Sequence, residues 1–162
     1  MSDDAHASGF TPDELETWSA VATLLEWLPA ALDAQLQRDS GLSHFEFGIL
    51  FALAHADGGS LRMSELAGYA NSTLSRLSRA VARLERSGWV TRAPDSSDGR
   101  ITRARLTPAG ERAVTDATPG HVALVRRLVF DALTRAQADQ LRASSHRITS
   151  AIRTEGGWVP PA

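Results

Sequence analysis

The chain has no cysteine, which excludes disulfide staples, thiolate zinc sites and thiol-based redox sensing. It has no lysine either, so all 17 basic residues are arginine. Nothing in it approaches the roughly 18 to 20 uninterrupted apolar residues of a membrane span. The opening "MSDDAHASGF" carries acids and no apolar run, so a cytoplasmic protein without membrane association is expected. A glycine-rich phosphate loop, a nucleophile motif and an acid-base pair at catalytic spacing are also missing, so the expectation is no catalytic residue, no cofactor and no enzyme. The five histidines offer no metal site. His44 and His55 share a helix face but stand about 16 Å apart at about 1.5 Å per residue, whereas imidazoles sharing zinc each lie about 2.0 to 2.1 Å from it. His6, His121 and His146 show no short ligand spacing.

What is present is 162 residues, 43% of them apolar, enough for one domain with a real core and short for two. The formal net charge is −2, but it is unevenly spread. Between Ser72 and Leu106 eight arginines face only Glu85, Asp95 and Asp98, a net of +5 that leaves −7 for the rest of the chain. A basic segment on an acidic body points to a polyanion as partner.

The segment "STLSRLSRAVARLERSGWV" shows how the charge is arranged. Spacings of three, four and three set Arg76, Arg79, Arg83 and Arg86 within an arc of roughly 80°, with Ser72 and Ser75 on or beside it. Leu74, Leu77, Val81 and Leu84 fill another such arc on nearly the opposite side. A short helix, "SELAGYA", and a tight turn precede this helix, giving the outline of a helix-turn-helix. Gly88 ends it. "WVTRA", the turn "PDSSDGR" and "ITRARL" then form a basic hairpin, so the segment reads as a winged helix.

Long helices flank it. "TPDE" supplies a cap at Thr11, a first-turn proline and Glu14 to complete a capping box. The helix that follows is apolar over more of its girth than one small domain needs, and Pro29 should kink it. Ser43 with Glu46 opens a second helix, Thr107 with Pro108 a later one, and Thr134 with Gln137 the last. A kink or break is expected at Pro119-Gly120. The fold class expected is all-α dominated with a small β wing: a disordered tail over 1–10, flanking helices over 11–42 and 107–153, a winged helix-turn-helix over 43–106 and a tail over 154–162.

A helix with its side chains is about 10 to 12 Å across and the major groove about 12 Å wide. Ser72, Thr73, Ser75 and Arg76, at the start of the helix, are expected to read base edges, and Arg79 and Arg83 to clamp phosphates, while Arg86, near the far end, is open equally to phosphate contact and to a plain surface role. In the turn, Asp98 is close enough to Arg100 to orient its guanidinium for the narrow minor groove, with Arg103 further along the wing. Double-stranded DNA is therefore the expected partner. The alternative is a winged-helix protein-interaction module, whose mark would be loss of the basic stripe that this chain keeps.

The run "LRMSELAGYANSTLSRLSRAVARLERSGWVTRAPDSSDGRITRARLTPAGERAV" resembles the MarR family of bacterial winged-helix transcription regulators, in the order helix-turn-helix, "LERSGWV", Asp-x-Arg wing and "LTPAG". A looser likeness extends over residues 11 to 152. Ala70 stands where the family often has serine, and Gly99 where it often has a second arginine. The resemblance implies a homodimer clasped by its first and last two helices, a recognition helix over 72–87 and a wing tip at Asp98 and Arg100. It further implies a repressor on a pseudo-palindromic operator, released by a small aromatic or phenolic effector lodged between the dimerisation helices and the winged helix. Trp18, His44 and Phe47 are the leading candidates for that pocket, with Trp27 and His55 behind them.

Overall fold

Helices begin where a side-chain oxygen can meet the free N–H groups of a first turn. In a computed structural model, which describes residues 9–156, this happens at the four starts expected at Thr11, Ser43, Thr107 and Thr134. Residues 1–8 of the expected amino-terminal tail and 157–162 of the carboxy-terminal one lie outside the described residues. Helix α1 (Pro12–Ser40) opens with Thr11 and Glu14 bonding each other's backbone N–H. Ser43 and Glu46 repeat the arrangement for α2 (His44–Ala54), and Thr134 and Gln137 for α6 (Arg135–Gly156). Thr107 caps α5 (Pro108–Val125), with Pro108 in its first turn. Helix α6 runs to Gly156, so Thr154 and Glu155 are helical where a tail was expected.

Between α2 and α5 come a 3-10 turn (Asp57–Gly59), β1 (Ser60–Arg62), α3 (Met63–Tyr69), α4 (Leu74–Arg86), β2 (Val90–Pro94) and β3 (Thr102–Leu106). The strands form an antiparallel sheet in the order β1-β3-β2, with Leu61 opposite Ala104 and Val90 opposite Leu106. Pairing the short β1 with the hairpin fastens the wing to the start of the helix-turn-helix.

Helix α2 is apolar on every side, and such a helix belongs in an interior. It buries Phe47, Ile49, Leu50, Ala52 and Leu53. Around it pack Leu36 of α1, Leu66 of α3, Leu77, Val81 and Leu84 of α4, Ala104 and Leu106 of β3, and Val114 and Ala117 of α5. The expected apolar row of α4 is thus buried, apart from Leu74. That side chain is 55% exposed, because the first turn of α4 stands clear of the core.

Both internal prolines leave their helices continuous. Helix α1 passes through Pro29, and α5 passes through Pro119 without the break that was one of the two expectations there. Packing of α1 along α5 holds these helices across the missing backbone hydrogen bond. The departure from α-geometry comes further on, in a π-helical turn over Arg126–Phe130, where Asp131 N–H reaches Arg126 O at 2.8 Å. No helix among the described residues is long and apolar enough to cross a membrane.

Two glycines fix how α4, the wing and α5 meet. Gly88, with φ of +73°, ends α4 in the left-handed conformation that side chains disfavour. Gly110 lies where the first turn of α5 touches the wing root, and a Cβ there would sit 2.2 Å from Trp89 O and 2.6 Å from Leu106 Cδ1. Gly110→Ala should therefore destabilise the protein by about 1–3 kcal/mol, read as a Tm lowered by about 2–4 °C per kcal/mol. Gly99→Ala, with nothing within 4 Å of the new Cβ, should leave Tm within about 1 °C of the parent.

Candidate nucleic-acid interface

The buried row Leu77, Ala80, Val81 and Leu84 sets the rotation of α4 about its axis. Ser75, Arg79 and Arg86 then lie on the side away from the core and are exposed. Among the described residues, Arg79 and Arg86 make no ion pair and no side-chain hydrogen bond. Arg76 and Arg83 fall on one flank and are both engaged there. The Arg76 guanidinium carbon stands 4.4 Å from the centroid of the Phe45 ring, and Arg83 Nε donates to Glu46 Oε1 at 2.7 Å. The four arginines of the stripe are therefore not equivalent: two form an open crest and two lean on α2.

The amino end of α4 differs from the sequence reading in a similar way. The helix starts at Leu74, and Thr73 Oγ1 accepts the N–H of Arg76 as its cap. Ser72 Oγ donates to Thr73 O at 3.2 Å. Thus the hydroxyls of Ser72 and Thr73 hold the backbone of their own turn. No capping bond from position 70 is needed, so Ala70 costs the fold nothing there.

Glu46 is buried, and both its oxygens are used. Oε2 accepts from Ser43 N–H and Ser43 Oγ, and Oε1 from Arg83. Burial alone would raise this carboxyl, but the Ser43 N–H, the Arg83 guanidinium and the Ser43 hydroxyl together outweigh it and hold the group below its ordinary range. On the opposite flank of α4, Arg92 of β2 pairs with Glu85 and donates to Ser78 Oγ. The helix is braced on both sides.

The wing is internally wired too. Arg103 Nε and Nη2 donate to Ser60 Oγ and Ser60 O at 3.1 and 3.0 Å, and Nη1 to Asp95 Oδ2 at 3.2 Å. Its guanidinium ties β3 to β1 and to the loop. Asp95 also accepts from the hydroxyl and N–H of Ser97, which with Arg103 hold its carboxyl well below the usual carboxylate range against its burial. Asp98 Oδ1 accepts the backbone N–H of Arg100 at 3.0 Å, while the Arg100 Nε lies at 3.9 Å. The carboxylate thus shapes the turn and holds the guanidinium only loosely, leaving the Arg100 side chain 95% exposed. Arg105 is a further exposed cation on β3, one that the imperfect alternation of "ITRARL" did not single out.

Behind the helix-turn-helix a cavity of about 520 Å³ opens between α2, α5 and the π turn, lined by His44, Phe47, Phe51, Tyr69, His121, Val122, Arg126 and Phe130 among others. His44 and Phe47 meet there as expected. Trp18 does not join them: it stands on the amino-terminal half of α1, 52% exposed, and Trp27 likewise, because that half extends past the winged helix. His55 stacks on Phe51 outside the cavity, its Nδ1 within 2.8 Å of Phe51 O. The partner that spacing could not find is His121, brought from α5 to 4.8 Å from Phe47 and 5.9 Å from His44, centroid to centroid. The Nδ1 atoms of His44 and His121 are buried with no hydrogen-bond partner among the described residues. Burial, and then the neighbouring His44, lower the pKa of His121 from its ordinary value.

Similarity to known proteins agrees with this architecture. The MarR family model matches residues 40–101. Sco3205 of Streptomyces coelicolor, a MarR family transcriptional regulator solved in complex with DNA, is 42% identical with a TM-score of 0.86, covering 89% of this chain and 90% of that one. AbsC, a MarR family transcriptional regulator from the same organism, is 31% identical with a TM-score of 0.85, covering 90% and 97%. The transcriptional repressor MprA of Escherichia coli (strain K12) is 24% identical over 118 residues, which span 73% of this chain and 66% of MprA. A helix-turn-helix with an open cationic crest, a braced wing and a match over nine-tenths of Sco3205 lead to one conclusion: the chain belongs to the MarR family, whose members are transcriptional regulators and not enzymes.

Proposed function

We propose that the protein is a homodimeric repressor that grips a pseudo-palindromic operator in double-stranded DNA and lets go when a small aromatic effector binds. The observation that carries the reading is the crest of α4: Ser75, Arg79 and Arg86 project from a helix whose other faces are packed or braced. In this reading Ser75, Arg76 and Arg79 reach base edges in the major groove, and Arg83 and Arg86 contact phosphate. Ser72 and Thr73 shape the helix start that meets the backbone, where helix N–H groups favour an anion. Arg100 enters the minor groove from a turn set by Asp98. Arg103 keeps the wing rigid from within. That the 42% identical Sco3205 was solved in complex with DNA supports DNA as the partner.

Two copies are required to read two half-sites, whose centres lie about 34 to 36 Å apart on one face of the duplex. The long helices over 11–42 and 107–153 supply the surface. Leu24, Leu25 and Trp27 of α1, Leu128 and Phe130 of the π turn, and Leu141, Ile148 and Ile152 of α6 are all exposed apolar side chains, far more than an unaccompanied domain carries without a partner. The winged region over 43–106 hangs from this clasp.

The effector is assigned to the aromatic cavity. Its rings suit a flat apolar guest, the two unpartnered imidazole nitrogens suit a hydroxyl or carboxylate on that guest, and Arg126 at the wall supplies positive charge. A guest that fits one arrangement of α2 against α5 better than another shifts the spacing of the two recognition helices.

Three measurements test this reading. Light scattering should give twice the mass of one chain, and Leu25→Asp with Ile148→Asp should give single chains that no longer retain operator DNA. Binding to random duplex should weaken steeply with salt, at least tenfold between 50 and 200 mM, a shallow dependence counting for the protein-interaction module instead. Arg86→Ala should flatten the log–log slope by about 2 per dimer, and Asp98→Ala should weaken binding although it removes a negative charge. Finally, hydroxybenzoate should raise the Tm of the parent and not of His121→Leu, and a parent unmoved at millimolar concentration would remove that class of effector.

A further inference from the structure

Phe45, in the first turn of α2, does not line the aromatic cavity. It is half-buried and packed against the core cluster, so the ring itself is held. The Arg76 guanidinium lies over that ring, 4.4 Å from its centroid, in the first turn of α4. Beside them runs a groove of about 620 Å³ lined by His44, Gly48, Tyr69 and Arg76. Arg76 has space to swing into that groove, and the ring is what it rests on.

Resting on the proposal above that α4 reads DNA, we propose that Phe45 is a positioning residue for Arg76. A ring carries no net charge, so it adds nothing to the attraction between protein and phosphate. What it offers is a fixed plane: a guanidinium held over an aromatic face by its quadrupole loses less freedom on binding than one free in solvent. Bidentate recognition of guanine O6 and N7 depends on the orientation of the guanidinium plane, whereas attraction to phosphate depends mainly on charge. Phe45 therefore contributes to sequence discrimination and not to general affinity. Glu46, the next residue, cannot serve the same end, because its pairing with Arg83 changes charge as well as position.

The test uses the full-length protein and two probes: the duplex that the parent enriches from a random pool, and a random duplex of equal length. Phe45→Leu keeps apolar bulk and removes the ring. It should lose about tenfold in affinity for the enriched duplex, while random-duplex affinity stays within about twofold with an unchanged salt slope. Phe45→Tyr keeps the ring and should retain both affinities, and melting curves verify folding, with Phe45→Met carried alongside as a second non-aromatic variant. Arg76→Gln should lose at least as much discrimination as Phe45→Leu, and the double variant no more than Arg76→Gln alone. Unchanged affinity of Phe45→Leu for the enriched duplex, equal losses on both duplexes, or additive losses in the double variant would overturn the proposal. If Arg76→Gln itself discriminates like the parent, base reading by Arg76 falls as well. If only the Phe45 variants do so, the assignment of Arg76 stands and the role of Phe45 is wrong.

Discussion

A carboxylate removed from water must find partners or give up its charge. Glu46 finds them on two helices at once: Ser43 closes the first turn of α2 through one oxygen, and Arg83 of α4 takes the other. Since α2 is the helix around which the protein packs, this ion pair fixes α4 to the least movable part of the fold. The pair and the buried row Leu77, Val81 and Leu84 together determine which way α4 faces. Rolling α4 to point other arginines outward would strand a buried anion and expose that row. The crest of Arg79 and Arg86 follows from a constraint on its far side.

Much of this was legible in the residues. Capping boxes are local chemistry, and those at Thr11, Ser43 and Thr134 marked three helix starts because each involves side chains only three residues apart. The hairpin and its turn were legible for the same reason, and the basic stripe followed from helical periodicity. What periodicity could not distinguish was one arginine from another. Arg83 and Arg76 lie on the same arc as Arg79, but their partners Glu46 and Phe45 belong to a different helix, and no local spacing joins them. Arg103 was read as a wing contact because it is a cation in a basic hairpin, and its ties to Ser60 across the sheet are equally non-local. The cavity failed in the same manner: His121 is distant in sequence from His44, while Trp18, chosen for its chemistry, sits on a helix end that leaves the domain.

The first turn of α2 is crowded with consequences for so short a segment. His44 and Phe47 line the cavity, Phe45 underlies Arg76, and Glu46 holds Arg83. A single turn of helix moves as a body, since its backbone hydrogen bonds leave little internal freedom. The residues that would greet a guest and those that prop the outward face are thus carried on one rigid piece. Such an arrangement needs no chain of intermediate side chains between the two.

At the seam between Trp89 and Gly110, backbone abuts backbone, with the Leu106 side chain alongside. Soft side chains act as washers between moving parts, absorbing small slips by changing rotamer, but the Trp89 carbonyl that faces Gly110 has no such freedom. A tilt of α5 is therefore delivered to the root of the hairpin without slack, and the joint behaves as a weld. Give must be sought at the other end of α5, where the α-helical ladder loosens into its wider π turn.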